Sequence, residues 1–427
     1  MLTCCRLLCC CRTLLVVLVA CLTLPTAGWG QARLSGVVLD SLTQQPLPFS
    51  TVFLANTTLG VTTDEAGRFV FERVPPGSYE AVASFLGYRL RRQPVLIATS
   101  AQHLTFRLPP AATALGEVVV RPTPNNPDDY RKFVESFLGA TSFSRQCRIR
   151  DPEAVRVHYD PEANELHATC SDYVTVENRA LGYRIKYYGL DFRLNFRQQW
   201  VAFYGWLIME DLTTTSERQR RRWQENRRQA YVGSLTHFLR SVYDNRVTEE
   251  GFVVQRLRRV VNPARAQADS LLVLMRQQTT TRRLLNPARF DDSLQALAAV
   301  PRQLEYLYTR PLTTEAYRQQ LPDAERVALQ FPDLLQVSYG REKPDPTYAA
   351  HLARTAPLGR PAPAAPTTQV SVLHLLLPQV LVQANGQATN PLGVLTEGYW
   401  GFEKLGEFLP VNYQPELLQS RPATSGQ

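Results

Sequence analysis

Lysine is nearly missing from this 427-residue chain: Lys132, Lys186, Lys343 and Lys404 are the only four, so the formal charge of +9 is carried by arginine. Long apolar runs are missing too. After residue 25 none approaches the roughly 18 to 20 residues that cross a bilayer as a helix, which excludes a transmembrane helix from the remainder of the chain. None of the six histidines (His103, His158, His167, His237, His351, His374) has Glu at the third following position, and His-Glu-x-x-His does not occur, so a zinc carboxypeptidase or zincin centre is excluded. Gly233-Ser234 lacks the glycine two before the serine that a hydrolase elbow needs. Glycine-rich phosphate loops are absent. The paired acids Glu249-Glu250 and Asp291-Asp292 are sequence neighbours, as in solvated loops rather than across a glycosidic bond. No catalytic residue, metal or other cofactor is expected.

Cysteine is concentrated where it will not stay. Six of eight (Cys4, Cys5, Cys9, Cys10, Cys11, Cys21) fall in the first 30 residues, which have the form of a secretory signal: Arg6 and Arg12, an apolar stretch over 13–24, then Gly28-Trp29-Gly30 before Gln31. Cleavage after Gly30 is expected, and with it export. A rival reading is a lipoprotein signal at Leu18-Val19-Ala20-Cys21, although Leu22-Thr23-Leu24 continues the apolar run. Cys147 and Cys170 then remain as either one disulfide or two buried thiols. Nucleic acid is not an expected partner of an exported chain; anionic headgroups suit the arginine excess better.

Residues 32–108 alternate strand-length apolar runs with turn signals, as an all-β sandwich does. Asp64-Glu65-Ala66-Gly67 has an Asx-type acceptor and a glycine for positive φ, and Pro75-Pro76-Gly77 supplies the next turn. The segments Gly36-Val37-Val38-Leu39-Asp40, Pro46-Leu47-Pro48-Phe49, Thr63-Asp64-Glu65-Ala66-Gly67-Arg68-Phe69, Val74-Pro75-Pro76-Gly77-Ser78-Tyr79 and Phe85-Leu86-Gly87-Tyr88 resemble the carboxypeptidase regulatory-like domain. That resemblance implies a seven-stranded, prealbumin-like sandwich of the carbohydrate-binding-like type. Segment 115–120, Leu-Gly-Glu-Val-Val-Val, is similar to the stretch C-terminal to this domain in many TonB-dependent receptors. The remaining chain is too short and too helical for a plug and barrel. Each motif residue has a turn or packing role, and Tyr79 and Tyr88 are the only partial substitutes for a tryptophan sugar platform.

Residues 109–129 read as a proline-rich linker, and 130–427 as an α+β domain with antiparallel sheet. A short helix is expected over 130–138, a meander of about six strands over 154–204, one amphipathic helix over 216–243 with Tyr231, Leu235, Phe238 and Val242 inward, and strands at 251–260, 326–339 and 369–377 with a hairpin turn at Asn385-Gly386. His158 and His167 are candidates to face each other across a hairpin, with Cys170 two or three positions along, a metal-like composition for which simple hairpin packing is the favoured reading. Segments 178–183, 223–241 and 397–404 resemble exported bacterial proteins that carry the same regulatory-like domain, a resemblance that brings no activity with it.

The expectation is an exported cell-envelope protein, periplasmic or outer-membrane-associated, acting without catalysis as a binding or docking module for an outer-membrane partner or a glycan. The alternative is a hydrolase of envelope glycan or peptide with its site in the second domain. The candidate binding residues are Arg227, His237 and Trp400, expected to share a cleft.

Overall fold

The computed structural model describes residues 32–98, 100–111, 124–277, 287–322, 326–356 and 364–415. The expected leader with Cys21, the cleavage point at Gln31 and segment 115–120 lie outside the described residues.

Seven strands make the first unit: β1 (Ala32–Asp40), β2 (Thr51–Leu54), β3 (Gly60–Thr62), β4 (Arg68–Val74), β5 (Gly77–Ser84), β6 (Arg91–Ile97) and β7 (Gln102–Leu108). They form two sheets, β4-β1-β7 and β3-β2-β5-β6. Period-2 burial along β1 turns Leu34 and Val38 inward onto Phe69, Phe71 and Phe106, each fully buried side chain contributing about 1.5–3 kcal/mol. Gly36 must be glycine, because a Cβ there would lie 2.2 Å from the Leu104 carbonyl oxygen. At the turn, Asp64 Oδ1 accepts from the Ala66 and Arg68 amides and Gly67 sits at φ +69°.

The linker gives way to helix earlier than the sequence suggests. Helix α1 (Pro127–Leu138) starts with Pro127, while Asn126 accepts from the Asp128 and Asp129 amides. Proline at this position has no amide to leave unsatisfied. Phe133, Phe137 and Leu138 seat α1 on the next sheet.

That sheet contains β8 (Cys147–Ile149), β9 (Val155–Asp160), β10 (Glu165–Cys170), β11 (Tyr173–Asn178), β12 (Tyr183–Asn195) and β13 (Trp200–Asp211). Their order is β8-β11-β12-β10-β9, with β13 on β12. Within the expected meander, β12 runs through in one piece, with its register shifting between Tyr188 and Asp191, around Gly189 at φ +60°. Cys147 and Cys170 form no disulfide. Their strands are not neighbours, both thiols are free, and they contact different carbonyls, Phe143 and Asp172.

Helices α2 (Glu217–Tyr231) and α3 (Leu235–Tyr243) replace the single helix expected over 216–243. Gly233 at φ +79° breaks the run, and Ser234 restarts it by accepting from the His237 amide. Beyond lie β14 (Phe252–Val261), α4 (Pro263–Gln277), α5 (Pro287–Ala298), β15 (Gln303–Leu307), β16 (Arg318–Gln320), β17 (Val327–Leu329), β18 (Leu334–Tyr339), α6 (Tyr348–Thr355), β19 (Gln369–Leu375), β20 (Val380–Val382) and β21 (Val394–Gly398). The sheets are β15-β14-β18-β19-β21 and β16-β17-β20. Phe238, Phe252, Val254, Tyr339 and Trp400 form the core beneath α3. The chain is thus a β-sandwich followed by an α+β region with antiparallel sheets.

The sandwich is not a free appendage. Asn56 donates its amide to the Leu207 carbonyl at 2.7 Å, and Met209 donates to the Thr57 carbonyl at 3.0 Å, so loop 55–58 covers part of the edge of β13. Phe53 and Val82 pack on Tyr188 and Ile208. Trp206 Nε1 donates to Glu80 at 2.6 Å, and from the far end of the chain Val411 donates its amide to the Asn56 carbonyl at 2.8 Å.

Candidate functional site

The candidate site is a cleft of about 520 Å³ between the N-terminal turns of α2 and the ends of β11, β12 and β13. It exists because α2 is bolted to one turn. Trp223 Nε1 donates to the Arg179 carbonyl (2.9 Å), Asn226 Nδ2 to Ala180 (2.7 Å), Arg227 Nε to Leu181 (2.7 Å) and Arg227 Nη2 to Gly182 (3.1 Å). Side chains spaced i, i+3, i+4 on one helical face therefore satisfy four successive carbonyls. The Trp223 indole lies flush on Gly182, at φ +72°, where a Cβ would approach to 2.3 Å.

The walls are charged and hydrogen-bonding. Glu177 accepts from Arg179 Nε at 2.7 Å and lies 3.5 Å from Arg150; the Arg179 hydrogen bond holds its carboxyl below the usual range despite partial burial. Arg184 reaches Glu210 at 3.8 Å, Asp211 pairs with Arg227 at 2.8 Å, and Arg222 is exposed at the rim. With Thr213, Thr214 and Gln219 completing the lining, the cleft offers several guanidinium donors, two carboxylate acceptors and hydroxyls. This suits a hydroxyl-rich ligand with an acidic group.

The three residues expected to share a cleft do not. Arg227 lies behind the wall as part of the bolt. His237 and Trp400 do meet, but in the core: the Gly233 amide donates to His237 Nδ1 at 3.1 Å, and Trp400 Nε1 donates to the Gly233 carbonyl at 2.8 Å. The imidazole packs against Tyr231, Phe252 and Tyr339. Burial lowers its pKa, with Glu250 at 3.5 Å opposing. Several α2 arginines pair along their own helix, Arg220 with Glu217 and Arg228 with Glu225. His158 and His167 are direct cross-strand partners, and among the described residues no group of three or more His, Cys, Asp or Glu could hold a metal ion. Tyr79 and Tyr88 are not sugar platforms: Tyr79 is buried and donates to the Pro75 carbonyl, while Tyr88 donates to Asp40.

Sequence reasoning also missed an acidic cluster formed by Glu342, Asp345, Glu403 and Glu407, where segment 340–348 and the C-terminal segment meet Thr141 and Ser142. Thr141 donates to Glu407, and the Ser142 and Thr347 amides donate to Asp345 at 3.0 and 2.8 Å. Burial pushes Glu407 up to about 8 and Glu342 up to about 7, and raises Glu403 well above the carboxylate range. Burial also acts to raise Asp345, but its donors outweigh that and leave it lowered. The sequence signal was present in Glu403-Lys404 and Glu407, yet their partner Glu342 is about sixty residues away.

The first unit can now be placed. Residues 34–120 match the family model of the CarboxypepD_reg-like domain. The chain carries that domain. No curated protein matches the chain. Among solved structures, the group B streptococcus pilus 2b backbone protein overlaps 19% of this chain and 42% of its own, at 16% identity and TM-score 0.18. This chain therefore spans less than half of that protein. The 5-hydroxyisourate hydrolase of Klebsiella pneumoniae overlaps 19% of this chain and 91% of its own, at 25% identity and TM-score 0.17. A Bacteroides uniformis protein provisionally named as carbohydrate binding overlaps 42% of this chain and 79% of its own, at 11% identity and TM-score 0.17. At these TM-scores the overlaps carry no inference about activity. The CarboxypepD_reg-like domain covers about a fifth of the chain, and the cleft lies outside it.

Proposed function

We propose that the chain is an exported cell-envelope protein that acts by binding, and that the cleft beside α2 takes an envelope glycan or the glycosylated part of an envelope partner. The observation that carries this reading is the cleft lining: Arg179, Arg184 and Arg222 as donors, Glu177 and Asp211 as acceptors, and the Trp223 indole, held in place by α2 rather than by a mobile loop. The CarboxypepD_reg-like domain supports it as a rigid module packed on β13. Titration of the protein with acidic and neutral envelope glycan fragments, read by tryptophan fluorescence, tests it. Arg222→Ala should weaken binding about tenfold with the melting temperature unchanged. Failure of every fragment to bind, or equal binding by the variant, would overturn the assignment of the cleft.

A hydrolase reading is supported by the carboxyls of Glu342 and Glu407, which burial pushes up to about 7 and about 8, towards the range a general acid needs. Turnover of peptidoglycan fragments that is lost in Glu342→Gln would favour it over binding alone.

A further inference from the structure

The six-stranded sheet buries one face against α1, with Leu166, Ala168 and Phe192 in that core. The sandwich covers part of the opposite face, seated on Tyr188 and Ile208, and its cover ends at Trp206. Beyond that point three rungs of directly paired residues run across β9, β10, β12 and β13: Arg156-Thr169-Asp191-Tyr204, His158-His167-Arg193-Ala202 and Asp160-Glu165-Asn195-Trp200. Direct partners share a face. Arg156, His158, Thr169, Asp191, Arg193 and Ala202 are exposed, so the described chain leaves this part of the face open.

An aromatic row borders it. Trp200, Tyr204 and Trp206 stand on this face of β13, each half-buried. Both indole N–H groups have protein acceptors, Trp200 on Gln198 at 2.7 Å and Trp206 on Glu80 at 2.6 Å, and Tyr204 meets Trp206 edge to face with centroids 5.3 Å apart. The rings are therefore held in place without being buried. Ala202 leaves the space between Trp200 and Tyr204 free of a large side chain, and at the sandwich end Trp206 joins Leu90, Arg92 and Pro94 in lining a cavity of about 490 Å³. The row spans about 20 Å. The polar part of the face is close to balanced in charge. Arg156 and Arg193 stand against Asp160, Asp191 and Glu165, and these groups pair locally, Arg193 with Asp191 at 3.4 Å and His167 with Glu165 at 3.2 Å.

We propose that this face is a second binding site and takes a neutral oligosaccharide, its rings stacked along Trp200, Tyr204 and the mouth of the Trp206 cavity. Aromatic rings suit the apolar face of a sugar, while the His, Arg, Asp and Glu side chains of the rungs supply both donors and acceptors for hydroxyls. Charge selects the occupant. A polyanion would meet three carboxylates, and an apolar partner would bury the charged rungs with nothing to replace their water. The cleft beside α2 takes Arg184 and Asp211 from the opposite ends of β12 and β13, so the two sites share no residue and this test does not depend on any cleft ligand.

The experiment is isothermal titration of the full chain with maltohexaose, cellohexaose, laminarihexaose and chitohexaose. At least one of these neutral glycans should bind. Its affinity should persist in Arg222→Ala, which alters only the cleft, and should fall about tenfold in Trp200→Ala. Ala202→Arg fills the open space between the rings without removing a contact; it should weaken binding as much with the melting temperature unchanged, and it decides the matter if Trp200→Ala folds poorly. Failure of all four glycans to bind overturns the proposal, as does binding that Ala202→Arg leaves undiminished. Binding abolished by Arg222→Ala also overturns it and places the glycan in the cleft. A dimer seen by sedimentation velocity that dissociates in Ala202→Arg would overturn it in favour of self-association.

Discussion

Arg227 lies over Tyr183, its guanidinium carbon 3.8 Å from the ring centroid. The same side chain that accounts for the Leu181 and Gly182 carbonyls thus also caps the first residue of β12. Arg227→Ala leaves the Leu181 carbonyl without its donor, while the Gly182 carbonyl keeps the Leu212 amide at 2.9 Å, and it uncovers the ring, so it should destabilise the protein by about 1–3 kcal/mol. Arg227→Lys should recover only part of this, because an ammonium cannot stack on the ring and span both carbonyls at once. Denaturant unfolding measures both; an unchanged midpoint in Arg227→Ala would show that the bolt is not needed.

The core beneath α3 should be unforgiving. Phe238 is fully buried against Phe252 and Trp400, so Phe238→Ala should cost about 3–5 kcal/mol. His237→Ala removes the acceptor for the Gly233 amide and should cost about 1–3 kcal/mol, with ligand binding at the cleft intact. Loss of cleft binding at unchanged stability would restore His237 to the site.

The acidic cluster gives the protein a distinctive dependence on pH. Glu407 and Glu342 sit at about 8 and about 7 in the fold, against roughly 4.3 for a free glutamate. Between those values the folded chain holds protons that the unfolded chain releases, so stability falls as pH rises from about 4.5 to about 8. Glu397 acts at the other end. Hydrogen bonds from His374 and Arg259 hold it at about 2, so its contribution is present above the unfolded value and is lost as pH drops from about 4.3 towards 2. Calorimetry across pH 3–8 should show a melting temperature that peaks near pH 5, and Glu407→Gln should flatten the decline on the alkaline side. A melting temperature that climbs steadily to pH 8 would refute the burial of these carboxyls.

Both thiols should be countable and slow. Burial pushes Cys147 up to about 12 and raises Cys170 as well, so an aromatic disulfide reagent at pH 8 should react sluggishly with the native chain. Unfolding without reductant should release two equivalents, one from each cysteine of the chain beyond Gln31. Release only after reduction would mean that the pair is bridged.

The sandwich could be read because its information is local. Asp64 with Gly67, and Pro75-Pro76 with Gly77, write each turn into four or five residues, and the alternation between turns leaves one choice of inward face. The second region places its decisive contacts far apart in sequence. A helical period runs through 216–243, yet Gly233 and Ser234, residues that end and restart helices, stand inside it and outweigh the period. The apolar pattern places Phe238 inward correctly, whereas Arg227, His237 and Trp400 mislead for one shared reason. Polar and aromatic side chains that satisfy buried carbonyls and amides look, in a linear sequence, like those that wait for a ligand. The cleft draws Glu177, Asp211 and Arg222 from three different elements, and no spacing rule joins them.

The hold of Asn412 and Val411 on loop 55–58 fixes an order of events during synthesis. Asn412 accepts the Thr58 amide at 3.1 Å and donates to the Thr58 hydroxyl at 2.8 Å across 354 residues of chain. The sandwich has all its strands long before those residues exist, and β13 is available to receive it by residue 211. The clasp closes only when nearly the whole polypeptide has been made, so a chain truncated before residue 411 would hold every element of secondary structure in the described region and still lack the fastening that joins its beginning to its end.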